Sequence, residues 1–132
     1  MNGSYVYVDT SAFMKLITPE AETAALQRYL QFRLLRVSCG LLRTEALRAA
    51  MRLSQEHVAM VRRQMRTVAL VDLTRDLMEQ AGTLLPAGLR SLDAIHLAAA
   101  LGLGGELGAI VTYDARMSSA AQALGLPVIG PR

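Results

Sequence analysis

Cysteine occurs once in the 132 residues, at Cys39, and histidine twice, at His57 and His96. A single cysteine excludes a disulfide within the chain and fits a reducing compartment, so a cytoplasmic location is expected. With only two histidines beside it, a zinc site of the Cys/His kind is excluded as well. Lysine is equally scarce, Lys15 standing against 13 arginines. No apolar run approaches membrane-spanning length, and no membrane partner is expected. The opening MNGSYVYVD has no basic segment followed by an apolar one, so no signal peptide is expected. Only eleven residues are acidic, which makes the position of each informative.

What is present suits one globular domain over residues 1–132. Hydrophobic residues make up 52% and charged residues 19%, slightly apolar for a soluble domain of this size. Part of that surplus is available for cover by another chain. The net charge of +3 permits a nucleic-acid partner without demonstrating one. Arginine is the better bidentate phosphate donor, although the Arg, Ala, Leu and Gly excess is also what a GC-rich genome produces.

Five short β-rich runs are expected as strands: Tyr5–Val8, Arg36–Ser38, Val68–Leu73, Ala109–Thr112 and Pro127–Ile129. Several are unbroken rather than alternating, as in strands covered on both faces. Helices are expected from about Ser11, from Pro19 to about Leu35, over Gly40–Arg52, Gln55–Arg66, Thr74–Leu85, Ser91–Leu103 and Ala115–Leu124. Strands alternating with helices predict an α/β sandwich around a mainly parallel sheet. No internal repeat, linker or low-complexity segment interrupts it.

Asp9 ends the first strand in YVYVDTSAF, and Asp114 follows the fourth in AIVTYDARM. In open parallel sheets ligands bind beyond the carboxyl ends of the strands, where the strand order reverses. Both residues are also plausible N-caps. Glu45, in GLLRTEALRAAMRL, falls inside the apolar arc of its helix; pairing with Arg48 is its ordinary structural reading. A carboxylate turned toward the core otherwise needs a cation. Asp93 opens the almost wholly apolar helix of LRSLDAIHLAAALG, where an acid suits the helix dipole and Ser91 is the expected N-cap. Four carboxylates in one crevice repel one another unless divalent cations lie between them, and an all-oxygen set suits Mg²⁺ or Mn²⁺.

The stretches VDTSAFMKLITPE, VSCGLLRTEALRA, LRSLDAIHLAAAL and VTYDARMSSAAQALGLPVI resemble those of PIN-domain ribonucleases, specifically the VapC-type toxins of bacterial type II toxin–antitoxin pairs. They stand in the family's order and span nearly the whole chain. The resemblance implies a three-layer sandwich with a five-stranded sheet of order 3-2-1-4-5. It also implies metal-binding acids at Asp9, Glu45, Asp93 and Asp114, with Thr112 at a hydroxyl position often found beside the metal.

The activity so implied is endonucleolytic hydrolysis of RNA with Mg²⁺ or Mn²⁺ as cofactor. One or two such ions lower the pKa of the attacking water and clamp the phosphate oxygens. Asp9, Asp93 and Asp114 hold the metal in this reading, and Glu45 ligates directly or through water. Arg116 is a substrate-phosphate contact or an ordinary exposed arginine. His96, one turn from Asp93, reads as a structural hydrogen-bonding group. An aspartyl-phosphate phosphatase lacks support, because Ser11 stands where Asp-x-Asp needs its second acid. A receiver-type domain is missing both its early acidic pair and its late lysine. The alternative from another class is a PIN-like module that binds RNA or protein without cleaving.

For partners, the resemblance implies a homodimer and a small antitoxin that reaches the acidic site with a basic side chain. The apolar spread Ala24, Ala25, Leu26, Tyr29, Leu30 and Phe32, with Met51, Val58, Met60, Val61 and Met65, is wide for one buried stripe and is expected to leave an interface uncovered.

Overall fold

The computed structural model describes residues 3–32 and 35–132. Within them the chain runs β1 (Tyr5–Val8), α1 (Thr10–Lys15), α2 (Thr23–Leu30), β2 (Leu35–Cys39), α3 (Leu41–Met51), α4 (Gln55–Met65) and β3 (Val68–Val71). It continues through α5 (Arg75–Gly82), α6 (Ser91–Leu101), a 3₁₀ turn (Gly104–Glu106), β4 (Leu107–Val111), α7 (Ala115–Ala123) and β5 (Val128–Ile129). All strand pairs are parallel and the order is β3-β2-β1-β4-β5. That is the expected 3-2-1-4-5 sheet. The chain leaves β1 toward β2 on one side and β4 toward β5 on the other, so the order reverses between β1 and β4.

Alternation along β1 sorts the two helical layers. Val6 and Val8 face a core with Ala12, Phe13, Leu26, Leu30, Leu42, Ala46, Val58 and Val61, from α1 to α4. Tyr7, between them, faces the opposite core with Val37, Cys39, Leu97, Ile110, Met117 and Ala121. The alanines at 98, 99 and 100 explain how α6 tolerates so little polar surface: all three are buried, and small side chains let the helix lie close to its neighbours. At the start of the β1–β4 pair the register shifts between Tyr5 and Val6. There the backbone passes so near Gly3 and Gly108 that a Cβ on Gly108 would lie 2.3 Å from the Gly3 carbonyl oxygen. Only glycine fits that approach.

Three details differ from the sequence-based expectation. The helix expected from Pro19 to about Leu35 is Thr23–Leu30. Thr23 Oγ1 accepts from Glu20 N at 2.8 Å and donates to Lys15 O at 2.7 Å, which holds residues 20–22 in a turn before the helix. At its far end Leu35 already belongs to β2, and positions 33 and 34 lie outside the described residues. The cap of α6 is Arg90, not Ser91, and no side chain accepts from the first turn. Lastly, much of the expected apolar interface is core: Leu26, Leu30, Val58, Val61 and Met65 are buried in the single chain. α2 and α4 pack over the sheet closely enough to use them, leaving Phe32 and Met51, with Leu53, as the large exposed apolar residues of that region.

Candidate active site

The register Val8↔Val111 carries β1 and β4 to a common end. One residue further, Asp9 N donates to Val111 O at 3.3 Å, which sets the Asp9 and Thr112 side chains beside each other. Thr112 Oγ1 donates to Asp9 Oδ2 at 2.5 Å; Ser11 Oγ at 2.7 Å and Ala12 N at 3.0 Å donate to Oδ1. The last contact caps α1, so the ordinary reading of Asp9 as an N-cap is correct as well. Asp9 is only 3% exposed. Burial pushes its carboxyl above the usual value, against the lowering effect of the donors from Thr112, Ala12 and Ser11.

Asp114 has the same double position. Its Oδ1 caps α7, accepting from Arg116 N at 2.8 Å and Met117 N at 3.2 Å. Thr112 Oγ1 in turn accepts from Asp114 N at 3.1 Å. One hydroxyl therefore links the two acids: it donates to Asp9 and takes the backbone proton of Asp114. Thr112 is buried.

Glu45 comes to this end from α3, and its partner is not Arg48. Its Oε1 accepts from Thr10 Oγ1 at 2.5 Å and from His96 Nε2 at 2.8 Å. The other ring nitrogen, Nδ1, lies 2.7 Å from the Tyr7 hydroxyl and 3.8 Å from Cys39 Sγ. His96 and Tyr7 are buried, so a Glu45–His96–Tyr7 chain runs from the strand ends into the second core. Burial lowers the imidazole pKa, but hydrogen bonds and charge from Cys39 and Glu45 outweigh it and carry it to about 10. Burial likewise raises the Glu45 carboxyl, while His96 and Thr10 bring it below its usual value. His96 is thus the structural hydrogen-bonding group expected. The sequence did not indicate which acid it holds, although its place three residues after Asp93 puts it on the same side of α6.

Asp93 projects from the first turn of α6, and no described residue donates a hydrogen bond to it. Burial raises its carboxyl first, and the charge of Asp114 raises it further; His96 and Arg90 act against this, and Glu45 with it. These influences place Asp93 within electrostatic reach of both Asp114 and Glu45. The approach stops short of a cage: among the described residues, no group of three or more His, Cys, Asp or Glu side chains is close enough to hold a metal ion. Arg116 is exposed and lines a cleft beside Asp93, together with Arg90, a residue the sequence reading did not single out.

Comparison with known proteins shows the family. The PIN domain family model matches residues 6–123. Ribonuclease VapC46 of Mycobacterium tuberculosis (strain ATCC 25618 / H37Rv) is 44% identical over 126 residues, covering 96% of this chain and 97% of that protein. Ribonuclease VapC47 of Mycobacterium tuberculosis (strain CDC 1551 / Oshkosh) is 37% identical, with 96% of each chain covered. The crystal structure of Mycobacterium tuberculosis VapC20, described as a sarcin-ricin loop cleaving toxin, superposes with a TM-score of 0.75 at 18% identity, over 96% of this chain and 99% of that one. The chain belongs to the PIN-domain family and is of the VapC type within it.

Proposed function

We propose that the chain is an endoribonuclease acting as the toxin of a toxin–antitoxin pair, hydrolysing RNA phosphodiester bonds with Mg²⁺ or Mn²⁺. Asp9, Asp93 and Asp114 are assigned as ligands, and Glu45 as a ligand directly or through water. The observation that carries this reading is the Thr112 hydroxyl, which donates to Asp9 and accepts from the Asp114 backbone N–H. Two acids thus flank the β1–β4 end, with Asp93 close by, its carboxyl raised by burial and then by the charge of Asp114. Like charges gathered at one end of the sheet are a cost to the metal-free protein that a divalent cation removes. The donor set fits such an ion in chemistry, being all oxygen. A cage would form by rotation of side chains, chiefly that of Asp93, which has no hydrogen bond to give up. The bound ion would supply an activated water and charge for the phosphate and leaving oxygens.

The protein's own residues do the positioning. Thr112, Ser11 and the α1 backbone fix both oxygens of Asp9, so its orientation is set before anything binds. The α7 N–H groups take one oxygen of Asp114 and leave the other directed away from the cap. His96 and Thr10 both hold Oε1 of Glu45, which leaves Oε2 for an ion or its water. Arg116 is assigned a substrate phosphate.

The reading includes a cytoplasmic location, a homodimer and a small antitoxin that brings a basic side chain to the acids. Exposed Phe32, Met51 and Leu53 support a partner surface. The alternative, a module that binds RNA or protein without cleaving, is favoured by the lack of a preformed three-residue ligand group among the described residues. One experiment separates them: purified protein with single-stranded RNA, in Mg²⁺, Mn²⁺ or EDTA, beside Asp9→Asn, Asp93→Asn and Asp114→Asn. Cleavage with metal, absent in EDTA and in the variants, is expected. Metal-independent cleavage, or near-normal turnover in two variants, overturns the assignment.

A further inference from the structure

A cleft of about 380 Å³ opens beside Asp93, between residues 86–90, the start of α6 and the outer face of α7. Its polar lining is Arg90, Asp93, Arg116 and Ser119; its apolar side includes Leu89 and Ala120. Both arginines are exposed, and neither guanidinium has a carboxylate within ion-pair distance among the described residues. An arginine without a partner on an open surface needs no explanation. Two of them lining one concave surface, from separate elements, describe a receptor for an anion. Guanidinium forks match phosphate oxygens in pairs of parallel hydrogen bonds.

The rest of the cleft narrows the class of anion. Its volume lies at the small end of ligand pockets, which run from about 300 to 1,000 Å³. A free phosphate would leave most of that space empty, and Leu89 and Ala120 offer it nothing. A nucleotide uses both parts, with its phosphate between the guanidinium groups and its ribose and base over the apolar side. Asp93 belongs to the cleft and to the acidic set at once. A nucleotide seated here is therefore the immediate neighbour, along one strand of RNA, of the phosphate lying over the acids. α6 adds to the attraction, because its first-turn N–H groups take no side-chain cap.

We propose that this cleft seats the nucleotide next to the cleaved bond, with Arg90 and Arg116 bracketing a single phosphate and Leu89 and Ala120 carrying its sugar and base. The proposal rests on the ribonuclease reading above. It makes Arg90 a binding residue and gives the enzyme a subsite at which base size is sensed.

The test uses the full chain and an end-labelled, mixed-sequence single-stranded RNA. Binding is followed by anisotropy in EDTA, so that nothing is cut, across a salt series; KM is then measured in Mg²⁺. The variants are Arg90→Ala, Arg116→Ala, the double variant, and Ala123→Phe, which narrows the cleft from α7 and keeps both arginines. Each arginine variant is expected to weaken binding about five- to tenfold and to raise KM in parallel. Because one phosphate is shared, the double variant should flatten the salt dependence by about 0.7 in log–log slope, the value for one single-strand phosphate contact. Ala123→Phe should weaken RNA binding with no change of slope. Thermal unfolding of all four should match the parent, since the substituted side chains are exposed.

If the parent binds and cleaves RNA while the arginine variants do so equally well, the subsite is refuted and the ribonuclease reading stands. A slope change of about 1.4 in the double variant means two separate phosphates and refutes the bracketing. If Ala123→Phe binds like the parent, the site takes phosphate alone. A parent that neither binds nor cleaves RNA refutes both readings; an acidic protein segment then becomes the ligand class for the two arginines.

Discussion

His96 is the residue whose replacement should cost most for its size. Its ring is buried, its Nε2 donates to Glu45 and its Nδ1 meets the Tyr7 hydroxyl. His96→Leu keeps much of the volume but removes the imidazole donor of the Glu45 carboxylate, leaving it Thr10, and takes the imidazole away from the buried Tyr7 hydroxyl. Breaking a buried pair by deleting one member costs about 3–5 kcal/mol. The Glu45 side chain retains 23% of its exposure, so water relieves part of the loss and the lower end, about 3 kcal/mol, is expected. For a domain of this size that lowers Tm by roughly 10 °C. His96→Gln, which can return an N–H to Glu45, should recover about half of it.

The same pair predicts a pH dependence. The folded pKa is raised from 6.5 to about 10, so the folded state holds a proton that the unfolded chain releases. The stabilisation is fully present below the unfolded value and is lost as pH rises through the folded one. Urea denaturation in EDTA, from about pH 6 to about pH 10, should show the parent losing stability steadily while His96→Leu changes little over that window. Parallel curves for the two proteins, or a difference below about 1 kcal/mol at neutral pH, would falsify the argument.

Other outcomes follow from the same geometry. Asp9→Asn in EDTA should fold with stability within about 1 kcal/mol of the parent, because Asn caps a helix as well as Asp and removes a buried charge; circular dichroism melts measure it. The Asp93 carboxyl is raised by burial and by Asp114, so its contribution to stability is present below the unfolded pKa and lost as pH climbs through the folded one. Asp93→Asn should accordingly stabilise metal-free protein at neutral pH and lose that advantage in acid, read from urea midpoints at the two pH values. Adding Mg²⁺ at about 100 times its dissociation constant should stabilise the parent by roughly 2.7 kcal/mol and Asp93→Asn by much less; equal shifts would point to binding elsewhere. Leu97→Ala, in the second core, should cost about 2–5 kcal/mol in chemical denaturation.

The strands were readable because each is a short β-rich run between turn signals, and the sheet order came with the family resemblance. The position of Asp9 at the end of β1 was legible from VYVD alone, since a strand that ends in an acid before a helix has few other readings. Helix ends were less so. Thr23 fixes the start of α2 through a bond to Lys15 O, a contact eight residues away that no local pattern announces. The burial of Leu26, Val58 and Val61 depended on how closely α2 and α4 pack on the sheet, and periodicity does not fix that distance. The partner of Glu45 was hidden for the same kind of reason. Arg48 is its neighbour by helical spacing, whereas His96 lies 51 residues on and becomes adjacent only when α6 packs beside α3. Arg90 gave no signal until residues 86–90 and α7 formed two sides of one cleft.

Asp9 and Asp114 start the helices they precede with the same side chains proposed for chemistry. That coincidence shapes how such a protein escapes its own toxicity. Aspartate becomes asparagine by one base change, and asparagine caps a helix equally well. Cells selected for survival when the active protein is produced should therefore accumulate Asp9→Asn and Asp114→Asn more readily than changes that unfold the chain. The escaped proteins would remain intact, abundant and able to meet the same partners. A population carrying them would hold a silent reservoir that reverts by a single base.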